Sequence, residues 1–170
     1  CRRILQRGAR PAVLRLYDAV ESDRSYQTGP DRHVLLVLDE GDPALVAATM
    51  SVVADACADA EVLDTGLVEA WMSHRNDVAA LEALISKDFV VDTMEVAGRW
   101  GALDAIYERT LEAIGAVDGT LAVSAHQSHA YTDGACLYFT FAGRPDAAGK
   151  DAYYRDVWDA GTRAVLAGGG

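Results

Sequence analysis

The sequence predicts an α+β fold in which a mostly antiparallel sheet has helices packed on one face. The first indication is the continuous apolar run at residues 33–38, which is typical of a central strand. The second is Asp42 followed by Pro43, because this pair favours the start of a helix before an alanine-rich segment. The third is Asp133 with Gly134 between two strand-like runs, which is the strongest short-range signal for a β-hairpin.

The remaining elements follow from apolar periodicity and from the positions of glycine and proline. In chain order we predict a helix at 1–7 ended by Gly8, a strand at 12–17, a surface loop at 19–32, a strand at 33–38, a helix from 43 to 58, a short strand at 61–64, a helix at 66–76, a strand at 88–96, a helix at 100–115, a hairpin of 120–130 and 135–142, and a helix from 146 onward. Two successive sets of strands and helices of this kind describe an enlarged ferredoxin-like domain.

Composition narrows the class of protein. The chain has 170 residues, of which 51% are hydrophobic and 24% charged, and this fits one globular domain. A net charge of −11 argues against binding to nucleic acid or to an anionic membrane surface, because both need clustered Lys and Arg. No apolar run approaches the roughly 18 residues of a transmembrane helix, so no transmembrane segment is predicted.

The cysteines and histidines do not form a metal-binding pattern. Cys1, Cys57 and Cys136 are widely spaced, without the paired spacing of a zinc site. His126 and His129 have a helical ligand spacing, but in a strand they would point to opposite faces, so no metal site is predicted. The chain begins with charged residues rather than with the apolar run of a signal peptide. These features favour a reducing compartment, and we expect a cytoplasmic location.

The stretch 124–142 is the candidate functional centre, because it places two histidines and a tyrosine just before the predicted turn. If Asp133 and Gly134 form the loop, side-chain alternation assigns a polar set to one sheet face and an apolar set to the other. The polar face would carry Gln127, His129, Tyr131, Cys136, Tyr138 and Thr140, and the opposite face Leu137, Phe139 and Phe141. The apolar residues of 121–125 are out of phase, and a one-residue bulge near residues 125–128 would correct this. An ordinary, half-solvated hairpin is the competing interpretation.

Four short runs carry a family resemblance: SHAYTDGACLYFTF at 128–141, GARPAVLRLYD at 8–18, WMSHRN at 71–76 and VDTMEVAGRW at 91–100. In this order they resemble the FAD-linked oxidases of the vanillyl-alcohol oxidase type, and most of all the alkylglycerone-phosphate synthase-like branch. The resemblance spans nearly the whole chain. It implies a C-terminal cap domain, whose antiparallel sheet covers a flavin bound by a separate N-terminal domain, with the substrate between sheet and flavin.

The resemblance also implies roles for individual residues. Arg15 would reach towards the flavin and the substrate, where it offsets developing negative charge. Tyr131 would be the acid-base group, a role in which nearby cations such as Arg15 or His129 would favour the phenolate. The family often has a substrate-binding arginine before the strand at 90–94, and Arg75 is the nearest candidate here, because residues 78–86 contain none. The remaining substrate contacts implied are His126, His129 and Tyr138.

The cofactor implied is FAD, bound mainly by a domain outside this chain, so we expect a piece of a larger flavoprotein that is inactive by itself. The substrate implied is a small anionic molecule, either a hydroxy acid or an acyl or alkyl glycerone phosphate. An alkylglycerone-phosphate synthase and a 2-hydroxy-acid dehydrogenase both remain open. The alternative is a non-catalytic ferredoxin-like module that binds a small ligand or pairs as a homodimer.

Overall fold

The computed structural model describes the backbone of residues 1–170 and every side chain except that of Ala80. Its five strands form one antiparallel sheet in the order β2-β1-β4-β5-β3. The strands are β1 (Val13–Tyr17), β2 (Val34–Leu38), β3 (Val90–Arg99), β4 (Thr120–Ala130) and β5 (Gly134–Gly143). The helices are α1 (Arg2–Gln6), α2 (Ala19–Tyr26), α3 (Pro43–Ala56), α4 (Gly66–His74), α5 (Ala79–Ile85), α6 (Leu103–Gly115) and α7 (Lys150–Gly168). The predicted α+β class with a mostly antiparallel sheet is confirmed.

Most elements begin and end close to the positions that the sequence predicts. The Asp42 side chain caps α3 by accepting from the amides of Ala44 and Leu45, with Pro43 in the first turn. After α1 the chain reverses at Gly8, whose φ of 92° lies in the left-handed region that glycine tolerates best. Local capping chemistry therefore sets these boundaries.

Two predicted segments are wrong. The predicted loop at 19–32 contains α2, because the Asp18 side chain accepts from the Glu21 amide and caps this helix. The predicted strand at 61–64 does not form, and Val62 within it is 94% exposed. Strand β2 pairs with β1 alone, so residues 61–64 have no strand beside them. A segment with β-propensity does not form a strand when no neighbouring strand pairs with it.

The main core lies between the sheet and the helices α6 and α7. Phe139 and Phe141 of β5 are fully buried there with Met94 of β3, Ile106 of α6 and Val157 of α7. We call this side of the sheet the helix-covered face. The predicted orientation of Leu137, Phe139 and Phe141 into the core is confirmed. The burial of these large side chains is the main source of stability for this half of the domain.

The opposite side of the sheet is only partly covered. At the β1–β2 end, Tyr17, Val34 and Leu36 form a small cluster, against which Tyr26 of α2 and Trp71 of α4 pack. Farther along the sheet, β4, β5 and β3 present polar side chains, and we call this side the open face. Within the part of the chain that the structure describes, every helix is too short or too polar to cross a lipid bilayer.

The β4–β5 hairpin has a different register from the predicted one. The Tyr131 amide donates to the Gly134 carbonyl at 2.8 Å, so the loop is Thr132–Asp133 rather than Asp133–Gly134. Gly134 instead belongs to β5, where a Cβ would lie 2.2 Å from the Gly98 carbonyl oxygen. A glycine is needed here for the close approach of β3, and the turn itself does not require it.

A bulge restores the phase between the two strands of the hairpin. The register is regular from Ala125 to Gln127 and resumes at Ala130, which pairs with Ala135. Ser128 and His129 therefore lie opposite the single residue Cys136. The predicted one-residue bulge is present, displaced towards the turn from the expected residues 125–128.

Candidate functional site

A cleft of about 740 Å³ opens beside β1, the end of α4 and the β4–β5 turn. Four of the residues implied by the family resemblance line it, namely Arg15, Arg75, His129 and Tyr131. They come from positions far apart in the sequence. The pairing of β1 with β4 brings Arg15 near His129 and Tyr131, and Arg75 comes from the end of α4. We call this space the arginine cleft.

Arg15 is held between aromatic rings and a histidine. Its guanidinium carbon lies 5.4 Å from the centroid of the Trp71 ring and 5.7 Å from that of Tyr17. Its Nη2 is hydrogen-bonded to Nε2 of His126. Because a guanidinium group can only donate, Nε2 of His126 is the acceptor. Arg15 thus has a defined orientation at the wall of the cleft.

His126 is buried behind Arg15 and is linked to a carboxylate. Its Nδ1 lies 2.9 Å from Oε1 of Glu21, and the two side chains are only 10% and 8% exposed. Since Nε2 accepts from Arg15, the ring proton is assigned to Nδ1, which donates to Glu21. The three side chains form a continuous chain of hydrogen bonds from the buried end of α2 to the cleft.

The cleft is cationic although the protein is acidic. Arg75 lies with its guanidinium carbon 5.6 Å from the Trp71 centroid, so the same indole contacts both Arg15 and Arg75. Arg10 is a third cation in the wall, and Asp133 is the one acidic residue among the described residues that line it. A local excess of guanidinium groups in a chain with a net charge of −11 favours an anionic ligand.

Tyr131 and His129 lie at the mouth of the cleft. The Tyr131 side chain is 60% exposed, while its carbonyl oxygen accepts from Nε1 of Trp100 at 3.0 Å. Its backbone is therefore fixed and its hydroxyl is open to a ligand. His129 occupies the bulge and is exposed. Both side chains are therefore accessible from the cleft.

Tyr138 lies on the open face and does not line the cleft. Its ring stacks on His126 with centroids 5.2 Å apart and an angle of 4° between planes. A hydrogen bond to the Glu95 carboxylate, followed by desolvation, raises the pKa of Tyr138 to about 12. Burial, followed by the same carboxylate, raises the pKa of the Cys136 thiol. At neutral pH the Tyr138 phenol is a hydrogen-bond donor.

Replacing Glu95 by glutamine is expected to lower the pKa of Tyr138 from about 12 towards the ordinary value of about 10. The neutral amide no longer opposes the phenolate, whereas the carboxylate does. NMR titration of the Tyr138 ring carbons measures this change directly. The matched control is Glu112→Gln on the exposed side of α6, which should leave the titration unchanged. An unaltered pKa in Glu95→Gln would show that another group is responsible.

The predicted polar face is partly wrong. Gln127 pairs with Leu137 and lies on the helix-covered side, and His126 rather than His129 pairs with Tyr138. Because the bulge adds one residue to β4, each residue before it points to the sheet face opposite to the one obtained by counting back from the turn. The count therefore places His129, instead of His126, opposite Tyr138. His126, His129 and Tyr138 are close together, with the His129 and Tyr138 ring centroids 6.5 Å apart.

The sequence analysis missed Glu21 and Trp71. Glu21 fell in a predicted loop, although Asp18 followed three residues later by Glu21 resembles a helix-capping pattern and could have indicated α2. Trp71 lies on the apolar side of its helix, where a tryptophan is usually a core residue. Its contacts with two guanidinium groups had no signal in the local sequence.

The comparisons with known proteins give the family. The family model of the C-terminal domain of FAD linked oxidases matches residues 1–170. The chain belongs to this family. Among its relatives is an uncharacterized FAD-linked oxidoreductase, YgcU, of Escherichia coli O157:H7, which is 31% identical over 153 aligned residues. The protein of the same name from Escherichia coli K12 is 30% identical over an alignment of the same length. Each alignment covers 82% of this chain and 32% of the relative.

Solved structures confirm the fold of this FAD-linked oxidase domain. Two crystal structures of an alkyldihydroxyacetonephosphate synthase superpose with TM-scores of 0.77 and 0.74. The sequence identities are 20% and 19%, so this likeness concerns the fold. The superpositions cover 97% and 96% of this chain and 35% of each synthase chain. The chain therefore spans about one third of the length of the proteins that it resembles.

Proposed function

We propose that this FAD-linked oxidase domain binds the substrate of an FAD-dependent oxidoreductase, and that the arginine cleft receives an anionic group of that substrate. The observation that carries the proposal is the convergence of Arg15 and Arg75 on Trp71, beside Arg10, in a protein with a net charge of −11. Guanidinium groups bind carboxylates and phosphates through paired, charge-assisted hydrogen bonds. The FAD-binding domain would belong to the rest of a longer protein.

The residues present are compatible with contact to a flavin. Nε of Arg15 is buried and has no hydrogen-bond partner among the described residues, so a donor on a fixed cation remains unused. When bound, FAD supplies the two-electron redox chemistry. Arg15 is the residue of this chain that would hold the flavin, and it would offset negative charge that develops beside the cleft.

The other residues of the site would divide binding from proton transfer. Arg75 would hold the anionic group of the substrate at one side of Trp71. Tyr131, exposed at the mouth of the cleft, would exchange a proton with the reacting carbon or hydroxyl. His129 in the adjacent bulge would contact the substrate. Tyr138, whose hydroxyl donates to Glu95, would border only a part of the substrate that extends from the cleft onto the open face.

The flavin spectrum of the full-length protein that contains this chain tests the proposal. Under anaerobic conditions we expect bleaching of the flavin band by an anionic substrate. A panel of 2-hydroxy acids and acyl dihydroxyacetone phosphate separates a 2-hydroxy-acid dehydrogenase from a synthase of the alkylglycerone-phosphate type. A colourless protein that cannot be reconstituted with FAD would overturn the proposal and leave a ligand-binding or dimerisation module.

In the same full-length protein, Tyr131→Phe is expected to lower turnover by at least about 100-fold, because proton transfer by a positioned side chain contributes this much or more. Stopped-flow reduction of the flavin measures the step directly. Tyr154→Phe is the matched control, since Tyr154 lies on α7 with its hydroxyl 2.8 Å from Asp92 and is not part of the cleft. Normal flavin reduction in Tyr131→Phe would exclude this tyrosine as the acid-base group.

A further inference from the structure

We propose that Glu21 and His126 are positioning residues, which together hold the Arg15 guanidinium in the orientation that an anionic ligand meets. This inference rests on the proposed function, because it assigns to Arg15 a ligand in the arginine cleft. It gives His126 a role through Arg15 rather than as a substrate contact, and it adds Glu21, which the family resemblance did not indicate.

The first step is the burial of Glu21. Its side chain is 8% exposed, with Oε1 bound to His126 and 3.6 Å from Nη2 of Arg24. Its other oxygen, Oε2, is buried without a hydrogen-bond partner among the described residues. A buried carboxylate that leaves one oxygen unpaired costs stability. A neutral side chain would fill this buried position at a lower cost, and what the carboxylate adds is its bond to His126.

The second step is the tautomer of His126. Oε1 of Glu21 accepts at 2.9 Å from Nδ1, which places the ring proton on that nitrogen. Nε2 is then a lone-pair acceptor facing Arg15. The opposite tautomer would present an N–H to the guanidinium and could not bind it. The carboxylate therefore determines that His126 accepts from Arg15.

The third step is the orientation of the imidazole ring. Tyr138 stacks on it at 5.2 Å with nearly parallel planes, and the Tyr17 ring centroid lies 5.2 Å away. With both nitrogens bonded and aromatic rings beside it, the imidazole cannot turn without losing a hydrogen bond. It is a fixed acceptor on which Arg15 can be placed.

The last step is the guanidinium itself. One terminal nitrogen is bonded to His126, and the carbon lies 5.4 Å from the Trp71 centroid. A free arginine side chain loses considerable rotamer entropy when a ligand orders it. Because Arg15 is already ordered by its own protein, the ligand does not have to supply that free energy, and affinity is higher.

Two replacements of His126 separate positioning from packing. His126→Phe keeps a ring that can stack on Tyr138 but has no acceptor. His126→Gln loses the ring, but its amide oxygen can take the place of Nε2. Glu21→Leu removes the carboxylate at similar volume. His74→Gln is the control, since His74 is exposed on α4 and is bonded only to Ser73 and the Ala70 carbonyl among described residues.

The experiment is nitrogen-detected NMR of the 170-residue chain at neutral pH. In the unsubstituted chain we expect the proton of His126 on Nδ1 and separate signals for the two terminal nitrogens of Arg15, because its rotation is hindered. In His126→Phe and Glu21→Leu the Arg15 signals should merge, while His126→Gln and His74→Gln should keep them separate. Separate Arg15 signals in both His126→Phe and Glu21→Leu would overturn the proposal, as would merged signals in His126→Gln.

Ligand binding provides the second readout and distinguishes the two proposals. In the full-length protein the Michaelis constant for the anionic substrate should rise about ten-fold to 100-fold in His126→Phe and Glu21→Leu, the size expected for hydrogen bonds to a charged group. His126→Gln should recover most of this loss. If the NMR result is as expected but no anion from a panel of lactate and inorganic phosphate shifts the Arg15 signals, the positioning holds and the proposed function fails.

Discussion

Replacing Arg15 by methionine in the full-length protein is expected to lower kcat/KM about 1,000-fold, the loss found when one preorganised donor to a developing charge is removed. The unbranched methionine side chain can pack beside Trp71 and Tyr17, whose rings face the Arg15 guanidinium. The charge and the donors are lost. Steady-state kinetics with the substrate that reduces the flavin measures the effect, and flavin absorbance confirms that the cofactor is still bound.

Two further variants define what Arg15 contributes. Arg15→Lys keeps the charge but not the planar set of donors, and we expect an intermediate loss of about ten-fold to 100-fold. Arg109→Met is the matched control, because Arg109 is exposed on α6, which packs on the helix-covered face. Equal values of kcat/KM for Arg15→Met and Arg109→Met would show that Arg15 has no role in the reaction.

Replacing Phe139 by alanine is expected to lower the free energy of unfolding by about 4 kcal/mol, which is typical of a buried phenylalanine. Phe139 is completely inaccessible to solvent and packs in the core between β5 and the helices α6 and α7. For a domain of this size the loss corresponds to a fall in melting temperature of about 10 °C. Chemical denaturation of the 170-residue chain gives the free energy, and calorimetry gives the midpoint.

Phe89→Ala is the matched control for this loss. Phe89 is only partly buried and lies outside the main core. The guanidinium carbon of Arg144 lies 5.3 Å from the centroid of its ring. We expect it to cost less than half as much as Phe139→Ala, since less apolar area leaves water on folding. Equal losses of unfolding free energy in both variants would contradict the structure, which places Phe139 and not Phe89 in the main core.

The sequence was most informative where local chemistry decides. Asp42 with Pro43 starts α3, Gly8 follows the end of α1, and the alternation of Leu137, Phe139 and Phe141 marks the buried side of β5. Each of these patterns acts over a few residues, so each survives in the folded protein. Where a local pattern needs a distant partner it fails, as the unpaired segment 61–64 illustrates.

The candidate site was predictable only in part. The residues at the cleft mouth, Tyr131 and His129, follow from their place before the turn, and Arg15 from the family resemblance. The register of the hairpin was not predictable, because Gly134 is required by the approach of the Gly98 carbonyl and not by the turn. The bulge at Ser128 and His129 then exchanges the two histidines relative to Tyr138.

By itself, the sequence determined the fold class and the apolar side of the hairpin, because these depend on local spacing. The family of the domain followed from the resemblance of four short runs to known FAD-linked oxidases. The tertiary structure alone decided which groups meet. Tyr17 and His126 are 109 positions apart in the sequence and become neighbours because β1 pairs with β4. Helix α2 then places Glu21 against His126. Trp71 arrives from α4 to contact both arginines. Such contacts depend on the free energy of packing distant segments together, which no local pattern records.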